Sequence, residues 1–158
     1  MIGYDIHPTA PVKRNSLGQP LLYRIPILIE LAANRTKIDI GQLLKRLEHN
    51  SNQVLGIWVN APLPVGNNTR VAVTPSQQIA TRAVFDGCSL TLKDGTDEMM
   101  KEFPLRIIEM VNVQGRPLPI NTEKLNLTES VLNVPAAATD GAVAEGDVIE
   151  IIFEYVKK

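Results

Sequence analysis

The chain has 158 residues, the size of one domain, and its 44% hydrophobic content is enough to fill a core. A net charge of −1 excludes the broad basic field of a general nucleic-acid binder. A lone cysteine excludes an intrachain disulfide framework, and no apolar run approaches the ~20 residues of a spanning helix.

Residues 1–20 read as an extended N-terminal arm. They carry Pro8, Pro11 and Pro20 around Lys13-Arg14-Asn15-Ser16, with no apolar period. They also lack the apolar stretch of a signal peptide, so the expectation is a soluble protein synthesised in a cytoplasm. Residues 21–158 are expected to form one β-domain.

The first strand is LLYRIPILIEL, Leu21 to Leu31, with apolar residues at every odd position and Arg24, Pro26 and Glu30 among the even ones. Period 2 means a half-buried strand, and because proline cannot donate to a ladder the strand either lies at a sheet edge or breaks at Pro26. TKIDI (36–40) is a short strand. Leu43, Leu44 and Leu47 predict a short helix over 41–49, capped by Asp39 and the only convincing helix of the chain.

Strands then follow at VLGIWVN (54–60) and TRVAVTP (69–75), on either side of the proline-rich loop 61–68. SQQIATRAVF (76–85) contains a further extended piece, and Asp86-Gly87 marks a turn. CSLTL (88–92) alternates, with Cys88 read as a small core residue. FPLRIIEMVNV (103–113), apolar nearly throughout, reads as a strand buried on both faces or as a strand plus loop. KLNLTESVLNV (124–134) is a further extended stretch. VIEIIFEYV (148–156) closes the chain, with Glu150 and Glu154 facing away from its apolar side.

About eight strands, one short helix and turn signals every ~8–15 residues indicate an all-β fold: a single jelly roll or β-sandwich. A parallel α/β sheet would need crossover helices, and no internal repeat is visible.

The sequence carries no catalytic signature. Asp94, Asp97 and Glu98 crowd around Gly95, but Asp-Gly between two strands signals a hairpin tip, and the register of a calcium loop is absent. A diffuse weak cation site is the alternative there. The only histidines, His7 and His49, lie in the arm and near a helix end, so no metal site is expected. Neither a G-x-S-x-G elbow, a phosphate loop nor a dinucleotide fingerprint occurs, and the expectation is no enzyme, no cofactor and no small-molecule substrate. Trp58 reads as core; the alternative is a stacking platform, with Tyr4 or Tyr23 beside it.

The stretches VLGIWVNAPLPVGNNTRVAVTPSQQIATRA, LTLKDGTDEMMKEFPLRII, KLNLTESVLNV and VIEIIFEYV together resemble the strand order of jelly-roll capsid proteins. The likeness is to those of tailless icosahedral phages, which often contain a membrane. It covers roughly residues 54–156 and is carried by Ile57-Trp58-Val59-Asn60, Pro104-Leu105 and Phe153-Glu154-Tyr155. Many such proteins have two barrels per chain, whereas this length holds one.

The resemblance implies a structural virion protein: a major, minor or vertex capsid subunit, located in the virion after synthesis in the host cytoplasm. Its partners would be copies of itself, other virion proteins and a viral membrane, with no specific nucleic acid. The expected assembly contacts are Tyr4, Pro8, Pro11, Lys13 and Arg14 in the arm, Pro62 and Pro64 in loop 61–68, and Asp94, Asp97 and Glu98 in 94–102, with loop 135–147 beside them. The competing reading is a β-sandwich binding module for carbohydrate or a host receptor.

Overall fold

In a computed structural model, residues 13–47, 52–64, 70–95, 97–122, 129–135 and 142–157 are described. Among them are ten strands, two α-helices and a 3-10 turn. The strands are β1 (Tyr23–Glu30), β2 (Lys37–Asp39), β3 (Asn52–Val59), β4 (Ala72–Thr74), β5 (Gln77–Ile79), β6 (Ser89–Asp94), β7 (Asp97–Pro104), β8 (Leu118–Thr122), β9 (Val131–Asn133) and β10 (Asp147–Lys157). The helices are α1 (Arg82–Gly87) and α2 (Leu105–Val113).

The pairings nest. β1 lies antiparallel to β10, β2 to β9, β3 to β8, and β6 to β7, as in one long folded hairpin. The hairpin is then rolled, because β10 also pairs with β3 and β9 with β6. Two sheets result, ordered β1-β10-β3-β8 and β2-β9-β6-β7, which is jelly-roll topology. The β4–β5 hairpin is inserted between β3 and β6. It widens the first sheet to six strands through the one parallel pairing, Asp147 with Gln78 and Val148 with Ile79.

The sheets share one core. Ile27, Ile29, Ile57, Ile151 and Phe153 of the first sheet belong to the same buried cluster as Ile38, Leu90, Leu92, Leu132 and Met100 of the second. Period-2 alternation in β1 and β10 produces this, since one face of each strand carries the isoleucines.

Pro26 occupies an edge strand, as its chemistry requires. The Leu31 N–H donates to the Asp147 carbonyl, so odd residues of β1 turn their backbone groups toward β10 and even ones turn outward. The missing donor of Pro26 therefore falls on the free edge.

Four expectations need correction. FPLRIIEMVNV is not a buried strand: after Pro104 it forms α2, which buries Leu105 and Ile108 and ends before Gly115 (φ +84). A run that is apolar all round fits either state, and Pro104 before it and Gly115 after it were the helix signals. The short helix predicted over 41–49 is present as a 3-10 helix, Leu43–Leu47, with 48–49 outside the described residues and Asp39 accepting from the Gly41 N–H at 2.9 Å, but it is not the only helix. Within 76–85 only 77–79 is extended; α1 follows, and Asp86-Gly87 is its last turn. The segment 94–102 is mostly β7, so the connection between β6 and β7 is confined to the positions between Asp94 and Asp97.

Candidate interaction surfaces

The rolled hairpin gives the sandwich two ends. One carries the connections after β1, β3, β7 and β9, including β4–β5, α1 and α2. The other carries the β6–β7 turn, the connections after β2 and β8, and the entry of the chain into β1.

Of the expected arm contacts, Tyr4, Pro8 and Pro11 lie outside the described residues. Residues 13–20 form a tight turn in which the Asn15 side chain accepts from the N–H groups of Leu17 and Gln19. The Lys13 N–H donates to the Lys157 carbonyl at 2.7 Å, and Arg14 bridges to Pro20. Lys13 and Arg14 are thus fastened beside the end of β10.

Trp58 is neither core nor platform. Its even register position faces outward from the first sheet, in a row with Pro26 and Ile152. Its indole N–H donates to Glu154 at 2.8 Å, and the Arg24 guanidinium lies 4.8 Å from the ring centroid. Glu154 lies on the face opposite the apolar side of β10, as its position in the alternation requires, and is buried there beneath these partners. Tyr23 is similarly occupied, stacked on Tyr155 at 5.5 Å with the Lys157 ammonium 4.6 Å from its ring centroid.

Pro62 is buried and Pro64 exposed. The Pro62 carbonyl accepts from Arg82 at 2.7 Å, and the same guanidinium reaches Glu109 at 2.7 Å and Asp86 at 3.2 Å. Burial opposes the charge on Arg82, but the hydrogen bonds with Glu109 and Asp86 outweigh it and hold its pKa above the ordinary value. Arg82 therefore ties the connection after β3 to both helices.

At the same end lies a cleft of about 550 Å³ bordered by Glu30, Ser76, Gln77, Ala144 and Asp147. Glu145 is exposed at its rim, and the other two acids are engaged. Glu30 accepts from Gln77 at 3.0 Å, and buried Asp147 accepts from Arg70 at 3.0 Å, Gln78 at 2.7 Å and the Ala144 N–H at 2.9 Å. Asp147 fastens the loop before β10 to the β4–β5 hairpin. The sequence reading missed it because Glu145-Gly146-Asp147 looks like an ordinary turn.

Cys88 is buried, donates to the Val84 carbonyl, and has its thiol pushed up to about 12 by burial. That is a packing residue and not a nucleophile at neutral pH. Among the described residues, no three His, Cys, Asp or Glu side chains are grouped to hold a metal ion, and no helix is long and apolar enough to cross a membrane.

Two exposed features remain. Asp97 and Glu98 are exposed beside half-buried Asp94, flanking a turn in which Gly95 takes φ +64. On α2, Ile107, Met110 and Val113 are 42%, 59% and 80% exposed; they make up half of the large exposed hydrophobics among the described residues. Their spacing of three places them on one side of the helix. The opposite side is bolted down: Asn112 accepts from the Val59 N–H at 2.9 Å and donates to the Ile57 carbonyl at 3.2 Å. Asn112 thereby continues the ladder of β3 beyond its pairing with β8.

No family model, no curated protein and no solved structure matches this chain.

Proposed function

We propose that the chain is a structural virion protein, a single-jelly-roll capsid subunit that assembles laterally with copies of itself and other virion proteins. The observation that carries this reading is the strand order, β1-β10-β3-β8 over β2-β9-β6-β7. It is the architecture that the resemblance of the sequence to phage capsid proteins implies.

Three of the free edges support it in a second way. β1 presents Pro26 outward, β8 contains Pro119, and β7 carries exposed Lys101 and a positive φ at Glu102. Edges built like this do not accept an added strand. Association is left to side-chain surfaces, and a rigid block that meets its neighbours by side chains suits a shell. The occupied state of Trp58 and Tyr23 weighs against the carbohydrate- or receptor-binding module, which needs an open aromatic face.

The test is native mass by light scattering across a concentration series. A discrete oligomer or closed particle is expected. A strict monomer at high concentration, alone and with co-expressed virion proteins, would overturn the reading.

A further inference from the structure

We infer that the exposed face of α2 receives the β6–β7 turn of a second copy of this chain. The inference rests on the self-assembling reading and names the contact through which it would operate.

The receiving face is apolar and cationic. Ile107, Met110 and Val113 form its stripe, and exposed Arg106 projects from the same side. Glu109, the one acid on α2, is withdrawn toward Arg82 at 2.7 Å, and exposed Arg116 follows the helix. Because Asn112 and the buried Leu105 and Ile108 hold the other side, the face is presented on a fixed element.

The donating turn has the opposite character. Asp97 and Glu98 are exposed, half-buried Asp94 and Met99 flank them, and no base lies between Asp94 and Glu98. Lys93 stands across the β6–β7 pair from Glu98, but its ammonium is directed to Glu129 at 3.7 Å, and Lys101 lies further along β7, so the acids lead at the tip itself. Acids at the tip thus meet Arg106 and Arg116, while Met99 can lie against Met110.

The contact cannot form within one molecule. β7 runs from the turn to the start of α2, and its eight residues separate the two by about 25 Å of rigid strand. Each copy therefore has one donor and one receiver at opposite ends of the sandwich. Contacts of this kind propagate from copy to copy and close into a ring or extend as an array.

The experiment measures the association of the full chain by sedimentation at low and high salt, with a thermal melt of each variant as the folding control. Ile107→Ser with Met110→Ser is expected to weaken association at least about tenfold, and so is Glu98→Lys with Asp97→Lys. Arg106→Glu should do the same, and pairing it with Glu98→Lys should recover most of the loss. Raising the salt should weaken the wild type. If folded variants associate like the wild type, or the charge swap recovers nothing, this contact is overturned while the shell reading stands. A wild type that stays monomeric alone and with co-expressed virion proteins removes both.

Discussion

Gly56 faces Pro119 across the β3–β8 pair, and a side chain there would meet Pro117: an added Cβ would lie 2.6 Å from the Pro117 Cβ. The pyrrolidine ring is tied to the backbone immediately before β8 and cannot swing away. Gly56→Ala is therefore expected to lower stability by about 1–3 kcal/mol, measured by urea denaturation. Cys88 makes a kinetic prediction. With its thiol raised to about 12, the folded chain should react with iodoacetamide at pH 8 only as fast as it opens, and urea should unmask it. The sign for stability follows. The unfolded thiol ionises near its ordinary 9.0 and the folded one near 12, so the contribution of Cys88 is intact below pH 9 and is lost as pH rises from 9 toward 12. A pH series of melts on wild type and Cys88→Ala should show that difference. The burial of Cys88 could be read from its place between Phe85 and Leu90. The clash at Gly56 could not, because Pro117 is 61 positions away and only the pairing of β8 brings it near.

The element that decides the surface of the molecule is α2. Asn112 is its fastening: it replaces a strand partner for β3 by donating to Ile57 and accepting from Val59. Asn112→Ala leaves both backbone groups without that partner and is expected to cost about 1–3 kcal/mol. Hydrogen exchange should accelerate at the Val59 amide before the rest of β3. Arg82→Ala should loosen the connection after β3 as well as α2, because one guanidinium serves Pro62, Asp86 and Glu109. Side-chain exposures of 17% and 21% for Arg82 and Glu109 leave the pair partly solvated, so the expected cost is about 1–3 kcal/mol. Proteolysis within 61–68 should become faster in that variant. Alternation made β1, β6 and β10 legible, since one face of each carries the apolar side chains. The apolar run 103–113 misled because its exposed stripe and its buried face are both hydrophobic, which hides the helical period.

At the scale of the whole molecule, one hairpin rolled over one core places the elaborate connections at one end and the β6–β7 turn at the other. The charged and apolar groups available for association are divided between those ends. Removal of residues 2–12, which precede the Lys13–Lys157 hydrogen bond, is expected to leave the melting temperature within a few degrees of the wild type while reducing association in light scattering. An unchanged native mass would remove the arm from the assembly proposal. Asp147→Ala tests the other end. Its carboxylate joins Arg70, Gln78 and Ala144, so the variant should lose the parallel pairing of β5 with β10 and reveal it as faster exchange at Gln78 and Ala80.

The all-β class, the main strands, the Asp94-Gly95 turn, the burial of Cys88 and the choice Pro26 left between an edge and a break were legible in the chain of residues. Each of these depends on local chemistry: alternation, a missing donor, a glycine at positive φ, or a small apolar side chain among apolar neighbours. The helix over 105–113, the clasp of Trp58 between Arg24 and Glu154, and the fastening of the loops by Arg82 and Asp147 emerge from the packed fold. Those outcomes depend on partners far away in the chain, Trp58 to Glu154 across 96 positions and Arg70 to Asp147 across 77. Which distant residues meet is set by how the hairpin rolls, and no local pattern encodes that.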